Sequence, residues 1–224
     1  MKYVDTVIAH DQEAVQYDQQ VHEYNSYGHD ILFGMSFEYV NPHECLLDIG
    51  IGTGLASQPF ARVGLEIYGC DGSTEMLKVC ESKAFAKELK VFDLQNIPLP
   101  YSDNFFDHVI CCGVLHFFDD LGTILKEVLR IIKLGGIFAF TVAAQTSDEE
   151  SAGHDNLQGY LETPTPWDVP IFKHSGEYVS NLLQANGFEI LKTQKLLIRG
   201  GPEEDSGDML FRVYVARETS AIPS

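Results

Sequence analysis

A glycine-rich turn after a short apolar run is the feature that most constrains the fold of this chain. Residues 45–49 have β character, and glycines follow at three alternate positions, Gly50, Gly52 and Gly54. A helix-like segment, residues 55–63, comes directly after them. Such a strand, turn and helix let backbone N–H groups approach a nucleotide closely, because no Cβ intervenes. The pattern therefore predicts a nucleotide-binding βα unit, although any tight βα turn can use glycine.

Strand-like and helix-like segments alternate further along the chain. The predicted strands cover residues 45–49, 66–71, 89–92, 106–112 and 137–142. Ser73 is placed to cap a helix that runs to about residue 84, and apolar residues at helical spacing predict another helix from Leu121 to Ile132. Alternation of this kind predicts a parallel α/β sheet with right-handed crossovers. Ser175 then caps a helix that stops at Asn186 and Gly187, and residues 188–198 and 209–216 predict a closing strand pair.

The 224 residues are enough for a single domain with its own core, which we divide into four parts. Residues 1–44 predict an N-terminal helical cap, and residues 45–142 form the nucleotide-binding core. Residues 143–174 lack periodicity and hold three prolines, so they are interpreted as a substrate-side lid. Residues 175–224 provide the last helix and a β-hairpin, whose acidic connecting loop spans residues 200–208.

Composition limits the partners. Thirty-three acidic residues against fifteen basic ones give a net charge of −18, so we expect no nucleic-acid partner. Five cysteines without framework spacing indicate free thiols in a reducing compartment, and no His/Cys cluster suggests a metal. No apolar run reaches 18 residues and no signal-peptide core is visible, so a cytoplasmic protein with no membrane partner is expected. The oligomeric state is not indicated.

Acidic residues end two neighbouring predicted strands. Asp71 follows Gly50 by about 20 residues, where a carboxylate can accept hydrogen bonds from both ribose hydroxyls. It could instead be a turn aspartate that caps the next helix, but Ser73 already offers that cap. Asp93 ends the next strand, where it could accept a hydrogen bond from an adenine amino group or simply close a turn. Met76 could lie against the adenine or in the core.

Taken together, the motifs point to a known family. They read Asp48-x-Gly50-x-Gly52-x-Gly54, Gly69-x-Asp71-x-Ser73-x-x-Met76-Leu77, Asp93, Phe106-Asp107-x-Val109 and Leu129-x-x-Ile132-Lys133-x-Gly135-Gly136. This set resembles the class I S-adenosylmethionine-dependent methyltransferases, in the small-molecule branch often grouped with ubiquinone and menaquinone biosynthesis enzymes. Ile51 departs from the smaller residue common there. The resemblance implies a Rossmann-like seven-stranded mostly parallel sheet, order 3-2-1-4-5-7-6, with strand 7 antiparallel and helices on both faces.

The resemblance also implies the cofactor, S-adenosylmethionine, the product, S-adenosylhomocysteine, and a set of binding residues. The glycines would admit the methionine moiety, Asp48 would orient its amino group, and the N-terminal tyrosines would close over the cofactor. The full implied set is Tyr17, Tyr24, Asp48, Gly50, Gly52, Gly54, Asp71, Gly72, Met76, Asp93, Leu94, Cys112 and Gly113.

Transfer of a sulfonium methyl group is an in-line displacement, to which alignment and desolvation contribute much of the rate. A general base is needed only where the acceptor must lose a proton. His116, just beyond the fourth strand, is the candidate base, with a structural role as the competing interpretation. His22 and His29 are weaker candidates.

We therefore expect methyl transfer to a small-molecule acceptor. No Lys or Arg occurs between Lys2 and Arg62 or between Lys133 and Lys173, so the acceptor pocket should repel anions and favour neutral or amine-bearing molecules. One alternative is a nicotinamide-dependent oxidoreductase, whose fingerprint would require glycine where Leu55 stands. Another is a non-catalytic cofactor-binding protein that acts through a partner.

Overall fold

The computed structural model describes residue 11 and residues 13–152, 158–164, 169–199 and 208–219. Within these ranges no helix has the length and apolar character needed to cross a bilayer.

The strands form a large sheet and a small one. In chain order they are β1 Cys45–Ile49, β2 Glu66–Asp71, β3 Ala86–Val91, β4 Phe106–Cys111, β5 Ile132–Ala143, β6 Tyr160–Thr163, β7 Ile171–His174, β8 Phe188–Ile198 and β9 Met209–Glu218. The large sheet has the order β3-β2-β1-β4-β5-β9-β8, and β9 is antiparallel to both of its neighbours. Since β8 and β9 are the sixth and seventh strands of this sheet, the predicted order 3-2-1-4-5-7-6 is confirmed.

Helices cover both faces of the large sheet. They are α1 Tyr17–Glu23, α2 Gly28–Ser36, α3 Gln58–Arg62, α4 Thr74–Ser82, α5 Gly122–Ile131, α6 Ser147–Ala152 and α7 Gly176–Ala185, with 3-10 turns at Phe37–Tyr39 and Leu115–Phe117. One core cluster joins α5 and α7 to the sheet through Val128 and Val179. A second cluster joins α2 and α3 to the opposite face through Leu32 and Phe60. The core is thus two apolar layers, one on each side of the sheet.

The central strands position the site. β1 pairs in parallel with β2 on one side and with β4 on the other, and its last four residues are buried. The chain runs outward through β2 and β3, then returns to the far side of β1 at β4. Ligands of open α/β sheets bind at the carboxyl ends of the strands beside such a reversal.

Several predicted bounds are corrected. β3 begins at Ala86 instead of residue 89, and the helix after the glycine turn covers only Gln58–Arg62. Gly135 and Gly136 were predicted to form a turn before β5, but they lie inside this strand. The strand begins at Ile132, which pairs with Phe106 of β4, and the register of the two strands shifts after that pair. Most of the acidic loop, residues 200–207, lies outside the described residues.

Residues 143–174 were expected to be irregular, and that expectation is wrong for the described part. This segment holds α6 and an antiparallel pair of strands, in which Tyr160 pairs with His174 and Thr163 with Ile171. Each strand has only four residues, too few for a recognisable alternation of polar and apolar side chains. Whether this segment acts as a lid remains a prediction.

Candidate functional site

The glycine turn adopts backbone angles that favour glycine. Gly50, Gly52 and Gly54 have φ of +73°, +53° and +85°. A Cβ on Gly50 would lie 2.3 Å from a methyl of Val114, and one on Gly54 would lie 2.5 Å from the ring of Phe85. A Cβ on Gly52 would meet nothing within 4 Å. The outer two glycines are therefore required by packing, whereas Gly52 faces open space.

Asp71 connects the glycine turn to the turn after β2. One carboxylate oxygen accepts a hydrogen bond from the Gly52 N–H and the other accepts one from the Ser73 N–H, each at 2.8 Å. The Ser73 hydroxyl in turn accepts a hydrogen bond from the Met76 N–H at 3.0 Å, which confirms the predicted cap of α4. The carboxylate predicted to hold a ribose thus also fixes the two turns around it.

Seven of the predicted cofactor residues line one cleft at the carboxyl ends of the strands, with a volume of about 140 Å³; they are Tyr17, Gly50, Gly52, Asp71, Met76, Cys112 and Gly113. The lining does not include Tyr24, Asp48, Gly54, Gly72, Asp93 or Leu94. Leu94 is buried in the core, and the Asp93 carboxylate accepts hydrogen bonds from Gln95 and Asn96 in its own turn. Direct cofactor contacts by these six residues remain predictions.

Asp48 is the most unusual ionisable group near the cleft. Its side chain is 1% exposed, and no hydrogen bond of normal geometry reaches either carboxylate oxygen within the described residues. Burial, with a smaller contribution from the nearby charge of Asp71, raises the pKa of Asp48 to about 7. The Ser57 side chain opposes this shift, but no Lys or Arg among the described residues pairs with the carboxyl group, and a ligand could provide such a cation.

Asp11 and α1, together called the strap below, cover the cleft through polar contacts. The Asp18 carboxylate accepts a hydrogen bond from the Thr53 hydroxyl and pairs with the Lys83 ammonium group, each at 2.5 Å. Asp11 accepts hydrogen bonds from the Ser73 hydroxyl and, at 3.3 Å, from the Glu75 N–H. No residue of α1 is buried. The strap is therefore held by charges and hydrogen bonds, with little apolar packing.

The strap also accounts for the small size of the cleft. Tyr17 lines the cleft, and burial of its hydroxyl raises the pKa of this group to about 12. Small-molecule sites usually have volumes of about 300–1,000 Å³, well above the volume left here. We therefore expect the strap to move when a nucleotide binds.

The histidines are placed differently from the sequence expectation. His116 is 9% exposed, with its ring 4.0 Å from that of Phe117 and 5.2 Å from that of Phe211, and it does not line the cleft. His22 is exposed and also lies outside the lining. His29 lines the cleft, with Nε2 3.6 Å from a carboxylate oxygen of Asp30. The position of His116 gives no support to its predicted role as base.

Several lining residues were missed by the sequence analysis. Thr141, near the end of β5, accepts a hydrogen bond from the Gly113 N–H at 2.8 Å and lines the cleft. Its place at a strand end was the signal that could have found it. Ser26, Phe117 and Ile198 also contribute, and no motif in the sequence marks them.

The cleft carries little charge. Among the described residues that line it, Asp71 is the sole carboxylate and there is no Lys or Arg. The surrounding acids are partly neutralised by cations from distant segments, since Lys83 pairs with Asp18 and Lys173 pairs with Glu149. The acidity expected around the acceptor pocket is thus weaker than the sequence suggested. Across the described ranges, no three His, Cys, Asp or Glu residues are grouped as metal ligands.

Comparison with known sequences agrees with this geometry. Residues 47–140 match the family described as a methyltransferase domain. The demethylmenaquinone methyltransferase of Thermobifida fusca is 35% identical over 96 residues, which cover 42% of this chain and 41% of that enzyme. The malonyl-[acyl-carrier protein] O-methyltransferase of Hamiltonella defensa is 32% identical over 107 residues, which cover 48% of this chain and 41% of that enzyme. The alignments thus span less than half of either relative.

A solved structure extends the likeness beyond the matched segment. The S-adenosylmethionine-dependent methyltransferase from Methanosarcina mazei superposes with a TM-score of 0.65 at 20% identity, covering 83% of this chain and 97% of that one. At this identity the likeness concerns the fold. The matched segment, the motifs and the fold agree: residues 47–140 match the methyltransferase-domain family, and the fold is similar to that of S-adenosylmethionine-dependent methyltransferases.

Proposed function

We propose that this chain transfers the sulfonium methyl group of S-adenosylmethionine to a small-molecule acceptor bound beneath the strap. The observation that carries the proposal is Asp71, which lines the cleft at the carboxyl end of β2 while its two oxygens hold the Gly52 and Ser73 N–H groups. Each carboxylate oxygen has further lone pairs, so Asp71 can also accept hydrogen bonds from ribose hydroxyls.

The residues around the cleft fit this cofactor. Gly52 offers an open backbone face, Asp48 offers a buried carboxyl group that lacks a cationic partner, and Met76 offers an apolar surface. The carboxyl group of Asp48 suits the ammonium group of the cofactor. The open face of Gly52 suits the methionine moiety, and the apolar surface of Met76 suits the aromatic base. The cofactor supplies an electrophilic methyl carbon, while the protein aligns the acceptor and excludes water through the strap.

The acceptor is proposed to be a neutral or amine-bearing small molecule. A phosphate or a carboxylate would find no Lys or Arg among the described lining residues, and burying an anion without a cation is costly. The names of the two relatives above indicate different acceptors. The first is named for a demethylmenaquinone and the second for a malonyl-[acyl-carrier protein]. Similarity to them therefore does not select one acceptor for this chain.

Two alternative functions would give different results in ligand-binding and turnover experiments. A nicotinamide-dependent oxidoreductase would bind NAD in this cleft, and a non-catalytic cofactor-binding protein would bind S-adenosylmethionine without turnover. Neither is favoured by the family match at residues 47–140.

The test uses S-adenosylmethionine with an isotopically labelled methyl group. The protein is incubated with a panel of neutral, cationic and anionic small molecules, and transfer of the label to each is measured. Acceptor-dependent formation of S-adenosylhomocysteine supports the proposal. Cofactor binding without transfer to any member of a broad panel would favour the non-catalytic alternative.

A further inference from the structure

One wall of the cleft is built from segments that mostly lie outside the matched domain. Val21 comes from α1, Ser26 and His29 from the start of α2 and the turn before it, and Ile198 from the end of β8. Phe117, from the 3-10 turn after β4, completes this surface, called the outer wall below. The glycine turn, Asp71, Ser73 and Met76 line the same cleft, and we assign them to the cofactor. The outer wall is therefore the part of the cleft left for an acceptor.

Apart from Val21, which belongs to the strap, the residues of the outer wall lie on elements outside the strap. α2 is anchored in the core, since Leu32 and Ser36 are fully buried. A Cβ on Gly28 would lie 3.5 Å from the side chain of Ile198, so the start of α2 packs against the end of β8. His29 follows Gly28 directly, so its backbone is held by the packing of α2 and β8 and not by α1, which buries no residue.

The chemistry of the outer wall selects among acceptors. Val21, Phe117 and Ile198 are apolar, and Ser26 is uncharged. An anionic acceptor has no Lys or Arg among the described lining residues, and the one carboxylate of that lining, Asp71, is engaged by two backbone N–H groups. Burying an anion or an ammonium group without a partner is unfavourable. The outer wall suits a neutral body with an apolar or aromatic surface.

Among the described residues of α1, α2 and β8 that line the cleft, the titratable side chains are those of Tyr17 and His29, and burial raises the pKa of Tyr17 to about 12, so Tyr17 is no base at neutral pH. The imidazole of His29 is mostly buried, with its side chain 19% exposed, and Nε2 lies 3.6 Å from an oxygen of the more exposed Asp30 carboxylate. Within the described ranges, no other histidine lines the cleft.

We infer that the acceptor is a neutral, largely apolar hydroxyl compound, such as a phenol, and that His29 accepts its proton. This inference rests on the proposed methyl transfer and assigns its acceptor class and its base. The acceptor O–H bond breaks and its proton moves to an imidazole nitrogen of His29. The oxygen then forms a bond to the methyl carbon while the carbon–sulfur bond breaks and sulfur keeps the electron pair. Before the reaction the positive charge is on the sulfonium sulfur, and after the reaction it is on the imidazolium ion of His29.

The first test compares three probes that share one ring system. Binding of 2-naphthol, 2-naphthoate and 2-naphthylmethylammonium to protein loaded with S-adenosylhomocysteine is measured by calorimetry. The inference predicts that 2-naphthol binds at least tenfold more tightly than either charged probe. Equal or tighter binding of a charged probe, or no binding of 2-naphthol, would overturn the assigned class.

The second test concerns His29. In His29→Gln, the turnover number for methylation of 2-naphthol should fall by roughly 100-fold or more, as expected for loss of a general base. His22→Gln is the matched control, because that histidine is exposed and outside the cleft. In His29→Ala, added imidazole should restore part of the turnover, which a purely structural role would not produce. Unchanged turnover in His29→Gln, or no methylation of bound 2-naphthol by the unaltered protein, would contradict the role.

Cofactor affinity is measured in the same samples and separates two kinds of failure. If S-adenosylmethionine does not bind the unaltered protein, the proposed function itself fails. If it binds with the same affinity to the unaltered protein and to His29→Gln, while naphthol turnover is also the same, only the role of His29 fails.

Discussion

Asp71 holds two turns together and faces the cleft, so its removal should affect the cofactor more than the fold. In Asp71→Ala, affinity for S-adenosylhomocysteine should fall by about 2–4 kcal/mol, as expected for loss of hydrogen bonds to a charged acceptor. Calorimetric titration measures this loss, with circular dichroism as the check on folding. Glu81→Ala is the control, because that carboxylate is exposed and outside the cleft lining, so its removal should leave the affinity nearly unchanged. Unchanged affinity in a folded Asp71→Ala protein would exclude the ribose assignment.

Asp48 should couple cofactor binding to proton release. Its pKa of about 7 keeps a large fraction of this carboxyl group protonated near neutral pH. A cationic ammonium group bound nearby would favour the ionised form, lower the pKa and release a proton. Titrations near pH 7 in two buffers with different ionisation enthalpies should therefore give different apparent binding enthalpies. Asp48→Asn should abolish most of this difference, and a buffer-independent enthalpy in the unaltered protein would argue against the coupling.

No residue of α1 is buried, and Asp18 attaches this helix to the rest of the protein through Thr53 and Lys83. Asp18→Asn should therefore open the strap more often and speed dissociation of S-adenosylhomocysteine several-fold. Amide hydrogen exchange of residues 17–23 should slow when the ligand binds, and less so in the variant. Glu13→Gln is the control, since Glu13 is an exposed neighbour. Exchange that is identical with and without ligand would rule out a closing strap.

The β6–β7 pair should loosen in acid because of His174. This side chain is 1% exposed, its Nε2 is 3.0 Å from the Phe118 carbonyl oxygen, and burial lowers its pKa from 6.5 to about 4. Below about pH 6.5 the unfolded chain takes up a proton that the folded chain resists, so stability falls until the pH reaches about 4. The loss approaches about 3 kcal/mol.

Thermal unfolding at a series of pH values between 7 and 4 measures how protonation of His174 changes the stability of the protein. The raised pKa of Asp48 acts in the opposite sense, since folding then becomes less favourable as the pH rises toward 7. The variant His174→Gln therefore serves as the reference, and the difference between the two proteins isolates the histidine. A difference that does not change between pH 7 and pH 4 would contradict this account.

The large sheet was predictable because its central strands are buried on both faces and read as nearly continuous apolar runs, as in Cys45–Ile49. The α6 helix and the β6–β7 pair were not, because each has only four to six residues. At the site, the glycine turn and Asp71 carry a motif with fixed spacing. His29 and Ile198 reach the cleft only through packing of α2 against β8, and single-sequence patterns do not encode such distant contacts.

For the chain as a whole, the net charge of −18 overstates the acidity around the cleft. Lys83, Lys173 and Lys192 each pair with an acid from a segment that lacks cations of its own. Among the described residues, the lining of the cleft holds one carboxylate. Selection of a neutral acceptor is therefore attributed to the walls of the cleft more than to the surrounding field.

The central claim is that this cleft binds S-adenosylmethionine at the carboxyl ends of β1, β2 and β4. Calorimetric titration of the unaltered protein with S-adenosylmethionine and, separately, with NAD tests it most directly. The account predicts saturable binding of S-adenosylmethionine at one site, weakened in Asp71→Ala, and no measurable binding of NAD. Saturable binding of NAD with none of S-adenosylmethionine would contradict it.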